Sequence, residues 1–162
     1  TLTLNVSREG TAINGTSGND TLAGTGYAES ISGAAGNDVL TGGLGGDIFK
    51  WTLSDKGTAL APANDRVTDF DTAINGDKLD LRDLLQGENH SIGAGNLGNY
   101  LHFEKSGSNT IVHISSTGAF SGTFNAALDD QTITLNNVDL TTVGNDQAII
   151  QNLLNNAKLI VN

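Results

Sequence analysis

Along the first third of the chain the apolar positions keep a nine-residue beat. Ile13, Leu22, Ile31, Leu40 and Phe49 stand nine apart. A triplet such as Thr21-Leu22-Ala23 places one apolar side chain between two that point the other way, which makes a minimal strand. The residues between triplets are rich in Gly, Asn, Ser and Thr and are expected to turn the chain. Before the beat begins, Leu2, Leu4 and Val6 alternate with polar residues and predict a strand. After it, 51–64 reads as a loop holding Pro62, and 65–86 is Asp-rich with Val67, Phe70, Leu79, Leu81, Leu84 and Leu85. Residues 87–98 are turn-like, and the alternating runs 100–104, 110–114 and 132–135 predict a small antiparallel sheet. The period then changes: Ile149, Ile150, Leu153, Leu154 and Ala157 fall on one helical face, with Asn145 or Asp146 as the cap and 159–161 as a short strand.

Residues 15–50 divide into four nine-residue units, each opening on Gly. The sixth position is acidic every time, as Asp20, Glu29, Asp38 and Asp47. Two units make one coil of two strands and two turns, so the first unit stacks on the third and the second on the fourth. That places Asp20 over Asp38 and Glu29 over Asp47. Carboxylates forced together lose solvation and repel, and a cation between them keeps them charged. Glycine-rich turns also bare backbone carbonyls. Such an all-oxygen cage suits Ca²⁺, whereas Mg²⁺ demands a strict octahedron and Zn²⁺ lacks its N and S donors here. A half-repeat precedes the array, but Thr11 takes its acid position and should bind no metal. A metal-free stack held by side-chain ladders is the main alternative.

Composition narrows the classes further. The 162 residues carry a net charge of −10 with only eight Lys and Arg, so nothing neutralises phosphate and nucleic acid is not an expected partner. No run of about 20 apolar residues predicts membrane insertion. Cysteine is absent, which excludes disulfides and thiolate metal sites and leaves a bound metal as the natural staple. The N-terminus has neither Met nor a signal peptide, so the chain is expected to be a monomeric module of something longer. A DFDTAINGDKLD reading as an EF-hand fails, because Ala73 and Ile74 stand where Asp or Asn and Gly are required. No HExxH or GxSxG motif occurs, and His90, His102 and His113 lie in unrelated patterns. No catalytic residue and no enzyme activity are expected, and Pro62 follows Ala61, so Asp-Pro self-cleavage is not supported.

The units resemble the calcium-binding nonapeptide of the repeats-in-toxin (RTX) family. "GGDIFKW", "DRVTDFD", "GDKLDLRDLL" and "IIQNLLNNAKLIVN" are similar to the C-terminal region of type I secretion substrates, above all giant Gram-negative cell-surface adhesins, ice-binding ones among them. The resemblance implies an all-β fold: a short parallel β-roll, or β-solenoid, capped by a small sheet region and a C-terminal helix. It implies several Ca²⁺ ions. One site would join Thr16, Gly18 and Asp20 to Gly33, Ala35 and Asp38. A second would join Thr25, Tyr27 and Glu29 to Gly42, Leu44 and Asp47, departing from the pattern at Tyr27 and Glu29. The last turns would be closed by Asp65, Asp69 and Asp77 facing Ala34, Gly36, Gly43 and Gly45, unless these acids only cap turns or pair with Arg66 and Lys78. The expected organisation is an N-terminal strand and worn repeat (1–14), the Ca²⁺-binding roll (15–50), a capping β-rich region (51–145) and an export signal (146–162). The expected partner is the ABC transporter of a type I system during export, and the expected location is the exterior or cell surface of a Gram-negative bacterium. Two rivals are an accessory module of a secreted enzyme and a polysaccharide- or ice-binding face. The latter would need a regular exposed row, which Thr21, Ser30, Val39 and Ile48 do not form.

Overall fold

The computed structural model describes residues 10–161, so the strand expected at Leu2, Leu4 and Val6 lies outside the described residues. The fold is mostly β and consists of two sheets between which the chain passes back and forth. One sheet holds β1 (Thr11–Asn14), β3 (Glu29–Ser32), β5 (Ile48–Thr52), β7 (Lys78–Asp83) and β11 (Leu159–Ile160), in that order and all parallel. The other runs β2 (Thr21–Ala23), β4 (Val39–Thr41), β6 (Ala63–Val67), β10 (Gln131–Leu135), β9 (Asn109–Ile114), β8 (Leu101–Ser106).

The register follows the beat. Thr21 pairs with Val39, Ser30 with Ile48 and Ile13 with Ile31, each pair eighteen residues apart. The worn repeat is therefore a full strand of the stack although it lacks the acid. Ile31, Leu40 and Phe49 are fully buried between the sheets, while Ile13 and Leu22, on the first two described strands, are only partly covered.

The three alternating runs form β8, β9 and β10, and β9 pairs antiparallel to both neighbours. They are not a separate sheet. β10 lies parallel to β6, with Gln131 opposite Ala63 and Leu135 opposite Val67, so the meander extends the second sheet of the stack. One hydrophobic core consequently runs from Ile31 and Phe49 through Trp51, Leu81 and Ile133 to Leu101 and Ile150.

The helical stripe forms α1 (Asp146–Asn155). Asn145 Oδ1 accepts the Ala148 N–H at 3.0 Å and caps it. Asp146 instead ties the helix start to β8, accepting from Phe103 N–H at 2.9 Å and meeting His102 Nδ1 at 2.8 Å. Ile149, Ile150 and Leu153 are buried in the common core, each worth about 1.5–3 kcal/mol of burial. Ala157 leaves the stripe, being exposed in the turn after the helix with φ 53°.

Candidate metal centre

The strand order stacks the turns in two columns. One column holds turns 15–20 and 33–38 and the loop 53–62, where the chain crosses from the first sheet to the second. The other holds turns 24–28, 42–47 and 68–77, where it returns. At the foot of each turn the acid reaches to the backbone of the acid before it in the stack. Asp38 Oδ1 accepts the Asp20 N–H at 2.8 Å, and Asp65 Oδ1 accepts the Asp38 N–H at 2.7 Å. In the second column Asp47 Oδ1 accepts from Glu29 N–H and Asp77 Oδ1 from Asp47 N–H, both at 2.8 Å. Each ladder thus has three rungs, and one oxygen of the middle and last acids is consumed in building it.

The other oxygens differ from rung to rung. On the first rung they fold back on their own turn: Asp20 Oδ2 accepts from Thr16 N–H at 2.6 Å and Thr16 Oγ1–H at 2.8 Å. Glu29 does the same with its longer arm, accepting from Thr25 N–H at 2.8 Å and Thr25 Oγ1–H at 2.6 Å. On the last rung they are capped by the protein. Asp65 Oδ2 accepts Trp51 Nε1–H at 2.7 Å and Gln131 Nε2–H at 2.9 Å, and Asp77 Oδ2 accepts Asp71 N–H at 2.8 Å. On the middle rung, Asp38 Oδ2 and Asp47 Oδ2 are buried with no hydrogen-bond partner. Both residues are almost wholly inaccessible, and a bare carboxylate oxygen there costs several kcal/mol unless something positive faces it.

Glycine shapes the space around those two oxygens. A Cβ on Gly33 would lie 2.1 Å from Asp38 Oδ2, and one on Gly42 would lie 2.3 Å from Asp47 Oδ2. The unit's opening glycine is therefore a requirement of close approach by the acid of the same unit.

Sequence reasoning paired Thr16, Gly18 and Asp20 with Gly33, Ala35 and Asp38, and the two turns do lie one upon the other, as do Thr25, Tyr27, Glu29 and Gly42, Leu44, Asp47. In the second pair Leu44 N–H donates to Thr25 O at 3.0 Å, while Tyr27 and Leu44 side chains project into solvent. Asp65, Asp69 and Asp77, expected to face Ala34, Gly36, Gly43 and Gly45, stand at the turns as hydrogen-bond acceptors. The oxygens of Asp65 and Asp77 are taken by N–H donors, and Asp69 accepts Gly42 N–H at 2.9 Å and Gly43 N–H at 2.8 Å. None of the three forms an ion pair with Arg66 or Lys78; the ion pairs among the described residues, such as Lys50–Asp83, Lys56–Asp130 and Arg82–Asp80, lie off the ladders. One acid near the site escaped sequence reasoning: buried Asp55 bears electrostatically on Asp38 from the loop of the third layer. Nothing in the nine-residue period points to it.

Among the described residues no three His, Asp or Glu side chains gather closely enough to hold a metal by themselves. An ion in this place would lean on backbone carbonyls as much as on carboxylates, which is hard-oxygen chemistry. The orphaned carboxylate oxygens, in turns whose other donors are backbone carbonyls, fit Ca²⁺ in chemistry.

The titration of the ladders has a definite sign. Burial pushes the Asp47 carboxyl up to about 6, offset by the Glu29 N–H and reinforced by the charges of Asp77, Glu29 and Asp69. Burial also pushes Asp65 up to about 6, against the hydrogen bonds from Asp38 N–H, Trp51 and Gln131. Asp38 and Asp77 are raised for the same first reason. A folded state that holds protons more tightly than the unfolded one loses stability as pH rises. The metal-free chain should therefore be most stable near pH 4 and weaken up to about pH 6. In excess Ca²⁺ the order should reverse, because protons compete for the same oxygens. Thermal melts at pH 4.5 and 7.5, each in EDTA and in Ca²⁺, test this; parallel pH trends in the two conditions would refute it.

The family model of the RTX calcium-binding nonapeptide repeat, in four copies, matches residues 14–49. No curated protein matches the chain. Among solved structures the chain is similar to the AlgE6R3 subunit of the Azotobacter vinelandii mannuronan C5-epimerase, at 22% identity and a TM-score of 0.49 over 96% of this chain and 80% of that one. It is also similar to the AlgE6R2 subunit of that epimerase, at 18% identity and a TM-score of 0.40 over 96% of this chain and 92% of that one.

Proposed function

We propose that this chain, whose residues 14–49 are calcium-binding nonapeptide repeats, is a calcium-controlled folding module of a type I secreted protein, and that the protein is a cell-surface adhesin. The observation that carries the first part is the pair of buried, partnerless oxygens, Asp38 Oδ2 and Asp47 Oδ2, one in each column of turns. Thr16, Gly18, Asp20, Gly33, Ala35 and Asp38 would hold one ion, and Thr25, Tyr27, Glu29, Gly42, Leu44 and Asp47 another. When bound, Ca²⁺ supplies the positive charge that the ladders lack, and its binding free energy becomes folding free energy.

In Ca²⁺-poor cytosol two unbalanced carboxylates keep the roll from closing, which leaves a chain able to pass a narrow channel. Millimolar Ca²⁺ outside reverses that balance and hinders back-sliding. The adhesin reading rests on the resemblance of the segments from Gly45 onward to adhesin C-termini. No helix among the described residues is long and apolar enough to cross a membrane.

Residues 146–162 are the export signal in this reading: an amphipathic helix is a local structure available to a transporter while the rest is unfolded. Removing 146–162 is expected to abolish export through a type I system, with the chain retained in the cells. The truncated chain should also fold less stably outside, since Ile149, Ile150 and Leu153 belong to the common core. Comparing supernatant and cell fractions for the intact and truncated chains decides it. Normal export of the truncated chain overturns the assignment.

A further inference from the structure

Lys158 is a buried cation for which the calcium reading gives no role. It is only 4% exposed, and it stands between α1 and β11. Its backbone is fixed at both ends: Lys158 N–H donates to Leu153 O and Leu79 N–H donates to Lys158 O, both at 2.8 Å. Its Nζ donates to Asp71 O at 3.1 Å. Among the described residues Nζ forms no ion pair; the carboxylates of Asp71 and Asp77 act on it beyond ion-pair distance, with Lys78 as the like-charged influence.

Those two acids close the last turn of the second column. Asp71 N–H donates to Asp77 Oδ2 at 2.8 Å, and Asp77 N–H donates to Asp71 O at 2.9 Å. Asp77 in turn holds Asp47 N–H, so the turn that Lys158 touches carries the last rung of the acid ladder. The first column ends on two neutral donors, Trp51 and Gln131. The second ends beside an ammonium delivered by the C-terminal segment.

We propose that Lys158 is the built-in counter-ion of the second acid ladder, and that docking of the C-terminal strand and helix is thereby coupled to closure of the turn 68–77. A long flexible cation is expensive to bury without negative partners, so the segment has a favourable place to go only once Asp71 and Asp77 are brought together. Before that, residues 146–161 remain undocked. The segment proposed as export signal would thus be sequestered after the roll has formed and not before. That consequence rests on the export reading; the charge coupling itself does not.

The test is a double-mutant cycle on the full chain with Lys158→Gln and Asp71→Asn, followed by thermal melts in Ca²⁺, with hydrogen exchange read over residues 146–160. Asp71→Asn keeps the Oδ1 that accepts Ala73 N–H at 2.8 Å and removes only the charge. The single variants are expected to lose stability and the double variant to lose less than their sum. In Ca²⁺, Lys158→Gln should speed exchange over 146–160 at least tenfold relative to wild type while residues 15–50 stay protected. Additive losses, or unchanged exchange over 146–160 in Lys158→Gln, would overturn the proposal. Failure of the calcium reading is seen separately, as a wild-type chain that is folded alike in EDTA and in Ca²⁺; the cycle read on that folded chain still tests the charge coupling. If Lys158→Gln does not fold, Lys158→Arg, which keeps the charge, should restore both stability and protection; an arginine variant no better than glutamine also overturns it.

Discussion

In EDTA the chain is expected to be largely unfolded, and to gain β-structure and a cooperative thermal transition when Ca²⁺ is added. The two orphaned carboxylate oxygens set the scale. Each buried unpaired charge costs several kcal/mol, and a domain of this kind has about 5–15 kcal/mol of net stability in total. Two such charges can consume most of it. The first described strands offer little to offset them, since Ile13 and Leu22 are only partly buried. Because the core is continuous from Ile31 to Ile150, the loss should spread beyond the repeats. At a free Ca²⁺ concentration one hundred times Kd, each site adds about 2.7 kcal/mol. In a chain of this size that corresponds to about 5–11 °C in Tm per site. Far-UV circular dichroism in EDTA and after addition of Ca²⁺ reads this directly. An identical, folded spectrum and an unchanged Tm in the two conditions would exclude calcium-controlled folding.

The second large effect is a change of sign. Asp38→Asn should stabilise the metal-free chain and destabilise the calcium-loaded one. The amide keeps an oxygen for the Asp20 N–H, so the ladder survives, while the buried charge disappears. In EDTA that replaces a buried unpaired charge by a neutral amide, which costs less to bury even with its N–H groups unpaired. In Ca²⁺ the same change removes a ligand charge and forfeits the gain of that site, about 5–11 °C in Tm at one hundred times Kd. Asp47→Asn should behave alike in the second column, because Asp47 Oδ2 is equally bare. Asp38→Ala should cost more than Glu29→Ala in Ca²⁺, since the oxygens of Glu29 are held by Thr25 and its turn is bent without glycine at Tyr27. Differential scanning of these variants with and without Ca²⁺ checks the pattern. A loss of similar size in both conditions for Asp38→Asn would mean that the residue is structural and not a metal ligand.

Much of this architecture was legible along the chain because a nine-residue period leaves few ways to fold. One apolar residue per unit fixes which side faces inward, and the eighteen-residue coil fixes which unit lies on which. Asp20 over Asp38 and Glu29 over Asp47 follow from that arithmetic. The runs 100–104, 110–114 and 132–135, the helix from Asp146 and its Asn145 cap are equally local properties, set by alternation, by a 3.6-residue stripe and by one side chain reaching two or three residues on. The period is silent beyond Lys50, and there the tertiary structure decided. It joined β10 to β6 and made one sheet of what alternation alone presents as a separate one. It gave the last-rung acids their donors from residues remote in sequence: Asp65 meets Gln131, and the turn that carries Asp77 meets Lys158. It drew the helical stripe into the common core and freed Asp146 from capping to hold β8. The physical reason is the same in each case. A carboxylate's role depends on which donors or charges reach its second oxygen, and those arrive through contacts between distant segments that no local pattern records.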